Sequence, residues 1–267
     1  MVRRTRLDAE LVRRGLARSR EQAVALIEAG RVEVRGTAAS KPAALVEPAD
    51  PVRIRDGGGP EYASRGGHKL AGALAVFGPA GLVVAGRRCL DAGASTGGFT
   101  DVLLRAGAAE VVAVDVGYGQ LAWALRTDPR VRVHDRTNVR SLTAEAIGGP
   151  VDVTVADLSF ISLRLVLPAL AACTGPGGDL VPMVKPQFEV GRERVASGGV
   201  VRDPALRAEA VLAVVAAATD LGFGIAGAVR SPLPGPAGNV EFFLWLRRDA
   251  PPADPGMIHT MVGEAGT

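Results

Sequence analysis

Apolar positions along this chain switch repeatedly between helical and strand spacing, and the switches divide it into parts. From Asp8 to Leu16 the spacing predicts a short helix, with Gly15 near its end. Ser19-Arg20-Glu21-Gln22 then has the form of a capping box, in which Ser19 accepts from the N3 amide and Gln22 reaches back. A helix over 20–29 follows, with Ala23, Leu26 and Ile27 facing a core and Gly30 suited to a left-handed stop. Arg31 to Gly36 alternates as a strand running into a turn, and Val52-Arg53-Ile54 is a second strand able to pair with it. Asp56-Gly57-Gly58-Gly59-Pro60 cannot continue a helix or strand and marks a boundary.

Beyond the boundary, Leu70, Leu74 and Phe77 keep helical spacing, which puts Lys69 near a helix start. A cation there opposes the helix dipole, a hint that Lys69 has a partner outside its own helix. Apolar strand patterns near 88–90, 111–114, 131–133, 151–156, 180–184, 224–229 and 240–246 then alternate with helical ones near 99–106, 163–172 and 204–221. This order predicts a doubly wound, mostly parallel seven-stranded sheet of the Rossmann-like kind, preceded by a small α+β domain. The expected division is 1–56 for the small domain, 57–64 for a linker, 65–250 for the large domain and 251–267 for a tail. Ligands of such a sheet bind at the carboxyl ends of its strands.

Charge sharpens this division. The chain has 267 residues and a net charge of +3. Residues 1–41 hold ten basic groups (Arg3, Arg4, Arg6, Arg13, Arg14, Arg18, Arg20, Arg31, Arg35, Lys41) against five acids (Asp8, Glu10, Glu21, Glu28, Glu33), a net of +5 that leaves −2 for the remainder. Positive charge gathered at one end is the electrostatic footprint of nucleic-acid binding. Aromatics are only 4% of the chain, so stacking on many bases is not expected to dominate. Cys89 and Cys173, with His68, His134 and His259, have no disulfide or metal spacing. Cys89 reads as an inert core thiol, and the usage fits a reducing cytosol. The longest apolar run, near 210–219, is about half of a membrane span.

Two features of the large domain carry chemistry. The loop Asp91-Ala92-Gly93-Ala94-Ser95-Thr96-Gly97-Gly98-Phe99-Thr100 ends the first strand, and its glycines permit a tight turn and close approach of a ligand. Asp115 ends the next strand, where an acid takes ribose hydroxyls. Ser95 stands where a dinucleotide fingerprint has its second glycine, so the loop favours S-adenosylmethionine, which has no phosphate, over NAD. The second feature is polar residues at strand ends. Asp157 ends the fourth strand pattern, Lys185 the fifth, and Glu241 opens the last. A purely structural Asp157–Lys185 ion pair is equally compatible with that placement.

The small domain resembles the S4 RNA-binding fold through Arg6-Leu7-Asp8, Leu11, Gly15, Ser19-Arg20, Ala23, Leu26-Ile27, Gly30, Val32, Val34 and Gly36. That likeness implies RNA-facing roles for Arg3, Arg4, Arg6, Arg18, Arg20 and Lys41. Six motifs extend the likeness over nearly the whole chain: Ser64-Arg65-Gly66-Gly67, the glycine loop, Asp115-Val116-Gly117-Tyr118-Gly119, Asp157-Leu158-Ser159-Phe160-Ile161-Ser162, Lys185-Pro186-Gln187-Phe188-Glu189, and Pro234 to Glu241. Together they resemble the TlyA (hemolysin A-like) family, S4-domain proteins with an FtsJ-like methyltransferase domain.

The resemblance implies methyl transfer from S-adenosyl-L-methionine to the ribose 2′-OH of cytidines in 16S and 23S ribosomal RNA of the 30S and 50S subunits. It implies that Lys69, Asp157, Lys185 and Glu241 form the catalytic tetrad. It places the methionine end of the cofactor against Asp91, Gly93 and Ser95, with Ala94, Gly97, Gly98 and Phe99 completing the loop. Asp115 with Val116 takes the ribose, and Asn138 or Asp135 with Leu158 or Phe160 frames the adenine. Arg65, Arg136 and Arg192 are expected in loops at the same end, guiding RNA. A cytoplasmic monomer without metal or membrane partner is expected.

The residue types suit that chemistry. A ribose hydroxyl is a poor nucleophile and must lose its proton as it attacks. Lys185 is the candidate base, and desolvation and the nearby cation of Lys69 favour its neutral form. Asp157 orients Lys185 and the cofactor, and Glu241 positions Lys69 or the hydroxyl. No metal is needed, because the sulfonium leaves as a neutral thioether. Three rivals make different demands. A pore-forming haemolysin needs a spanning or strongly amphipathic apolar segment. A non-catalytic S4 chaperone would not bind the cofactor. An S4-linked pseudouridine synthase would lack the glycine loop. If the basic module docks on RNA phosphates, RNA affinity of the full chain should fall steeply with added salt through counterion release, checked by a log–log plot of binding constant against salt; a flat line would remove the phosphate reading.

Overall fold

The structure is a computed structural model that describes residues 4–54, 62–195, 198–235 and 237–263. Two compact units are present, Met1–Glu61 and Tyr62–Thr267. Arg3 and most of the expected linker, residues 57–61, lie outside the described residues.

The first unit contains β1 (Thr5–Arg6), α1 (Leu7–Arg13), α2 (Arg20–Glu28), β2 (Val32–Val34), β3 (Thr37–Ala38), β4 (Leu45–Val46) and β5 (Val52–Ile54). Helix α1 stops three residues earlier than the apolar spacing suggests, because Gly15 turns left-handed at φ 71°. Ser19 caps α2 by accepting from the Gln22 amide at 3.2 Å. The return bond of the box goes one residue further back than expected, from the Arg18 amide to Gln22 Oε1 at 2.6 Å. Gly30, at φ 67°, ends α2 in the left-handed conformation. Strand β2 pairs antiparallel with β5, Val32 opposite Ile54, and Arg35 and Gly36 turn it back into β3. Leu7, Leu11, Ala23, Ile27, Val32 and Val46 fill the core between helices and strands.

The second unit opens with α3 (Arg65–Phe77). It continues through β6 (Arg88–Ala92), α4 (Gly98–Arg105), β7 (Glu110–Val114), α5 (Trp123–Arg126), β8 (Val131–His134), β9 (Val151–Ala156), α6 (Leu167–Cys173), β10 (Thr174–Val184), α7 (Pro186–Glu189), α8 (Pro204–Asp220), β11 (Gly224–Arg230), β12 (Phe242–Arg247) and α9 (Pro255–Gly263). The sheet order is β11-β12-β10-β9-β6-β7-β8. Pairings from β10 to β8 are parallel, and β12 runs antiparallel to both of its neighbours.

Side chains alternate across the sheet, as a strand buried on both faces requires. Leu90, Val112, Leu180 and Leu244 pack on one face with α6, α8 and α9. Cys89, Val111, Val155, Val181 and Phe243 pack on the other with α3 and α4. Both cysteines are buried, and burial pushes the Cys89 thiol up to about 12, as an inert core thiol should be.

Topology decides where chemistry can gather. The chain runs outward through β6, β7 and β8 in one direction and through β9 and β10 in the other, so the sheet's switch point lies between β6 and β9. Asp91 faces Val155 and Ala92 faces Ala156 there. Lys185 follows the end of β10. Because β12 is antiparallel, its beginning lies beside that end, with Phe242 opposite Val184. Glu241 therefore reaches the carboxyl edge from the residue just before β12 rather than from inside it.

Residues 251–267, read from sequence as a tail, include α9. Its Ile258, Met261 and Val262 are buried against α8 and the sheet. Among the described residues no helix is long and apolar enough to cross a membrane. Since Ile258 is fully buried, Ile258→Ala should lower stability by about 2–5 kcal/mol in chemical denaturation; a change near zero would show α9 to be peripheral.

Candidate active site

At the carboxyl edge, three loops and a helix start converge on a cleft of about 260 Å³ whose lining includes Ser64, Arg65, Lys69, Ser159 and Pro234 together with glycine-loop residues, Asp157 and Lys185. The glycine loop is shaped by its own backbone. Gly93 is at φ 89°, and a Cβ there would lie 2.5 Å from the Asp157 carbonyl. Gly97 is at φ 98°, and a Cβ would drive into Leu125 and Leu121. Ser95 also takes a left-handed φ of 48°, which aims its amide at Asp115 Oδ2, 2.8 Å away.

These geometries use up the loop's donors. The Gly93 and Ala94 amides both bond the Val114 carbonyl, Gly97 bonds Ala94, and Ser95 bonds Asp115. A loop that cradles pyrophosphate presents such amides to its ligand. Here four are spent inside the protein, so the loop suits a ligand without phosphate. Asp115 also accepts from the Gly117 amide at 2.7 Å, which fixes its carboxylate and leaves further lone pairs for hydroxyl donors.

Asp91 is the most perturbed acid of this end. It is fully buried, and its Oδ2 accepts from Thr100 Oγ1 at 2.7 Å while Oδ1 has no hydrogen-bond partner. Burial raises its carboxyl to about 7; the Thr100 bond opposes the rise and the nearby Asp157 charge adds to it. A buried carboxylate oxygen without a partner calls for one, and a ligand ammonium is the chemistry that fits.

The four polar residues form two ion pairs. Lys69 Nζ lies 2.5 Å from Glu241 Oε2, with side chains 7% and 1% exposed. This is the partner outside its helix that the position of Lys69 implied. Lys185 Nζ lies 2.6 Å from Asp157 Oδ1 and donates to Ser159 Oγ at 2.9 Å. Glu241 Oε1 is buried without a hydrogen-bond partner and abuts Gly235, whose hypothetical Cβ would sit 2.6 Å from it.

The cleft gathers Gly93, Ala94, Ser95, Gly98, Phe99 and Asp157 of the expected cofactor set. Asp91, Gly97, Asp115, Val116, Asn138, Leu158 and Phe160 do not line it. Leu158 packs half-buried against Gly93, and Gly97 serves as the turn. Val116 is exposed, and Asn138 is exposed with its side chain capping the Arg140 amide at 3.0 Å. Asp135 is held by Arg126 at 2.7 Å, and its carboxyl is lowered by that guanidinium. Phe160, at φ 64°, is 93% exposed and its ring meets Phe188 at 5.4 Å. Arg65 is the first residue of α3 rather than a loop residue, and donates to the Pro234 carbonyl at 3.1 Å. Arg136 lies over the Tyr118 ring at 4.3 Å. Arg192 begins a single 3-10 turn, and its side chain lies outside the described set.

Sequence reasoning passed over Ser159, although it sits two residues beyond Asp157 in a motif already singled out. It also passed over Arg13 in the small unit. There, buried Asp8 pairs with Arg6 at 2.9 Å and Arg20 at 3.0 Å, and the Arg6 guanidinium first of all holds its carboxyl well below the usual range. Buried Glu10 pairs with Arg13 at 2.6 Å and Arg14 at 2.7 Å and is held down to about 2, chiefly by Arg13. Arg4, Arg6 and Arg13 line one groove. Buried acids thus anchor Arg6, Arg13 and Arg20 from below while their outer edges stay in water, and Arg4 is held by the half-buried Glu47. Arg14 instead bonds the carbonyls of Glu47, Pro48 and Asp50, a structural role. Arg18 and Lys41 are exposed.

A glycine loop whose amides are spent inside the protein, at the switch point and beside one buried and one half-buried lysine–carboxylate pair, defines a methyltransferase site of the FtsJ-like kind. Residues 62–248 match the FtsJ-like methyltransferase profile and residues 5–52 that of the S4 domain. The "16S/23S rRNA (cytidine-2'-O)-methyltransferase TlyA" of Mycobacterium tuberculosis is 62% identical over 247 residues, 92% of this chain and 91% of that protein. "Putative rRNA methyltransferase YqxC" of Bacillus subtilis is 44% identical, covering 91% of this chain and 86% of its own. Among solved structures, "Putative hemolysin from Streptococcus thermophilus" aligns with a TM-score of 0.77 at 41% identity, over 98% of this chain and 95% of that one. The chain belongs to the TlyA family of FtsJ-like methyltransferases with an S4 domain.

Asp91 generates a pH prediction. The folded carboxyl keeps its proton up to about pH 7, against 3.8 for the ordinary group, so its ionisation weakens the fold as pH rises from about 4 to 7. Asp91→Asn removes this loss. Its stability relative to wild type should improve over that window by on the order of 2–4 kcal/mol and then level off. A pH-independent difference between the two denaturation midpoints would contradict the raised carboxyl.

Proposed function

We propose that this protein transfers a methyl group from S-adenosyl-L-methionine to the 2′-hydroxyl of cytidine ribose in 16S and 23S ribosomal RNA, acting on 30S and 50S subunits in the cytoplasm. The observation that carries the reading is the pairing of Lys185 with Asp157 and of Lys69 with Glu241 around one cleft beside the glycine loop. The 62% identical relative bears that activity in its name. When bound, the cofactor supplies an activated methyl on a cationic sulfur.

The chain's own residues divide the remaining tasks. The glycine loop and Asp115 hold the cofactor through backbone contour and hydroxyl contacts, while the buried Asp91, behind the loop, supports it from within through Thr100. Asp157 holds Lys185 at the mouth of the cleft, where it takes the hydroxyl proton as a neutral amine. Expulsion of water as RNA closes over the cleft disfavours charge on that amine. Lys69, neutralised by Glu241, orients the hydroxyl without adding net charge. Alignment of oxygen, methyl carbon and sulfur contributes the greater part of the rate. Exposed arginines of the small unit, among them Arg4, Arg6, Arg13 and Arg20, bind RNA phosphates, each fixed from behind by a carboxylate.

Tritium transfer from labelled S-adenosylmethionine to purified subunits lacking the modification tests this directly. Wild type should label RNA at a nucleotide that resists alkaline cleavage, and Lys185→Ala should lose about 10²–10⁴-fold in rate. Equal labelling by both proteins would keep the methyltransferase and remove Lys185 as base. Absence of cofactor binding by calorimetry would favour an RNA-binding assembly factor instead.

A further inference from the structure

Ser159 is exposed and lines the cleft, yet its hydroxyl is committed to Lys185. An ammonium has three N–H directions. At Lys185 an aligned hydrogen bond runs to Ser159 Oγ at 2.9 Å, while Asp157 Oδ1, 2.6 Å away, is a charge contact that accepts no hydrogen bond. The side chain is otherwise enclosed at 9% exposed, and all three residues border the cleft. The side away from Ser159 and Asp157 is the one left for a substrate.

We propose that Ser159 is a positioning residue for Lys185, fixing the rotation of its amino group so that the unheld direction faces the ribose hydroxyl. The inference rests on the reading of Lys185 as base. A neutral amine keeps two N–H bonds and one lone pair. Ser159 Oγ holds one N–H, and the Asp157 carboxylate repels the lone pair from its own side, so the lone pair turns to the remaining direction. The O2′ proton moves to that lone pair as O2′ bonds the methyl carbon and the carbon–sulfur electron pair returns to sulfur. Asp157 alone cannot set this rotation, because its nearby oxygen attracts the amine without accepting an N–H. The directed bond to the Ser159 hydroxyl removes that freedom.

The loop bearing Ser159 is itself locked to the helix that follows Lys185. The Phe160 ring meets Phe188, Ser162 Oγ donates to Glu189 Oε2 at 2.6 Å, and the Leu163 amide donates to Glu189 Oε1 at 2.7 Å. Phe188 and Glu189 belong to α7, which Lys185 immediately precedes. The Ser159–Lys185 bond is therefore one rung of a laced pair of loops, in a fixed register.

The test compares full-length wild type, Ser159→Ala and Ser159→Thr for kcat and for KM toward cofactor and subunits. Ser159→Ala should lower kcat about tenfold with both KM values and the melting temperature unchanged, and Ser159→Thr, which keeps a hydroxyl, should recover most of the loss. A second readout does not depend on turnover: acylation of Lys185 by an amine-directed reagent, followed by peptide mass spectrometry, should be faster in Ser159→Ala. Wild-type kcat in Ser159→Ala, or a threonine variant as slow as the alanine one, would overturn the proposal. So would unchanged acylation of Lys185. Wild type inactive on both subunits would instead count against the methyltransferase reading, and the acylation result would still decide whether Ser159 grips Lys185.

Discussion

Two ammonium groups lie almost out of water at one edge of the sheet, and much of the catalytic unit answers to that constraint. An isolated buried cation is costly enough that a protein either neutralises it or surrounds it with acceptors. Lys69 meets Glu241 and Lys185 meets Asp157 and Ser159. Removing either carboxylate leaves a buried charge uncompensated, so both pairs must arrive at the same edge together. Pairing also keeps the local balance of charge near neutral, which leaves room for a cationic cofactor without stacking positive charge on positive charge.

The strand order makes this meeting possible. Parallel strands β9 and β10 deliver Asp157 and Lys185 from their ends, and helix α3 brings Lys69 from its first turn and a half. Glu241 precedes its strand, so it could not reach this edge if β12 were parallel. Reversal of β12 solves the problem by bringing the start of that strand beside the end of β10. The one antiparallel strand is thus a requirement of the site as well as of the chain's path. The small unit uses a related device for another purpose. Its buried acids, Asp8 and Glu10, tie down guanidiniums whose exposed edges remain available to phosphate.

Much of this was legible in the sequence, because buried strands and amphipathic helices write their periods directly into it. The seven strands of the large unit and α4, α8 and the capped α2 lie near where the apolar spacing placed them, except that β10 begins six residues earlier, at Thr174. Lys69 announced an outside partner by standing against its helix dipole. Other features had no local signature. The early stop of α1 depends on Gly15 taking positive φ, and the pattern of Leu11 and Leu16 continues past it. Helix α9 lies in a stretch rich in Pro, Ala and Gly, and its three buried residues acquire meaning only against α8. The pairing of Lys69 with Glu241 joins residues 172 positions apart, which no spacing rule reaches. Leu158 or Phe160 was expected to frame the adenine; Phe160, at positive φ, is almost wholly exposed with its ring against Phe188, a placement that its sequence neighbours do not signal.

The central claim is that Lys185 receives the proton of the ribose hydroxyl. The most direct measurement is a structure of the full chain trapped on a ribosomal subunit with an unreactive S-adenosylmethionine analogue, in which the distance from the target O2′ to Lys185 Nζ is read. The account predicts about 2.6–3.2 Å, with Asp157 and Ser159 still holding the amine from the other sides. An O2′ nearest to Lys69, or one beyond reach of Lys185 and without a bridging water, would contradict it.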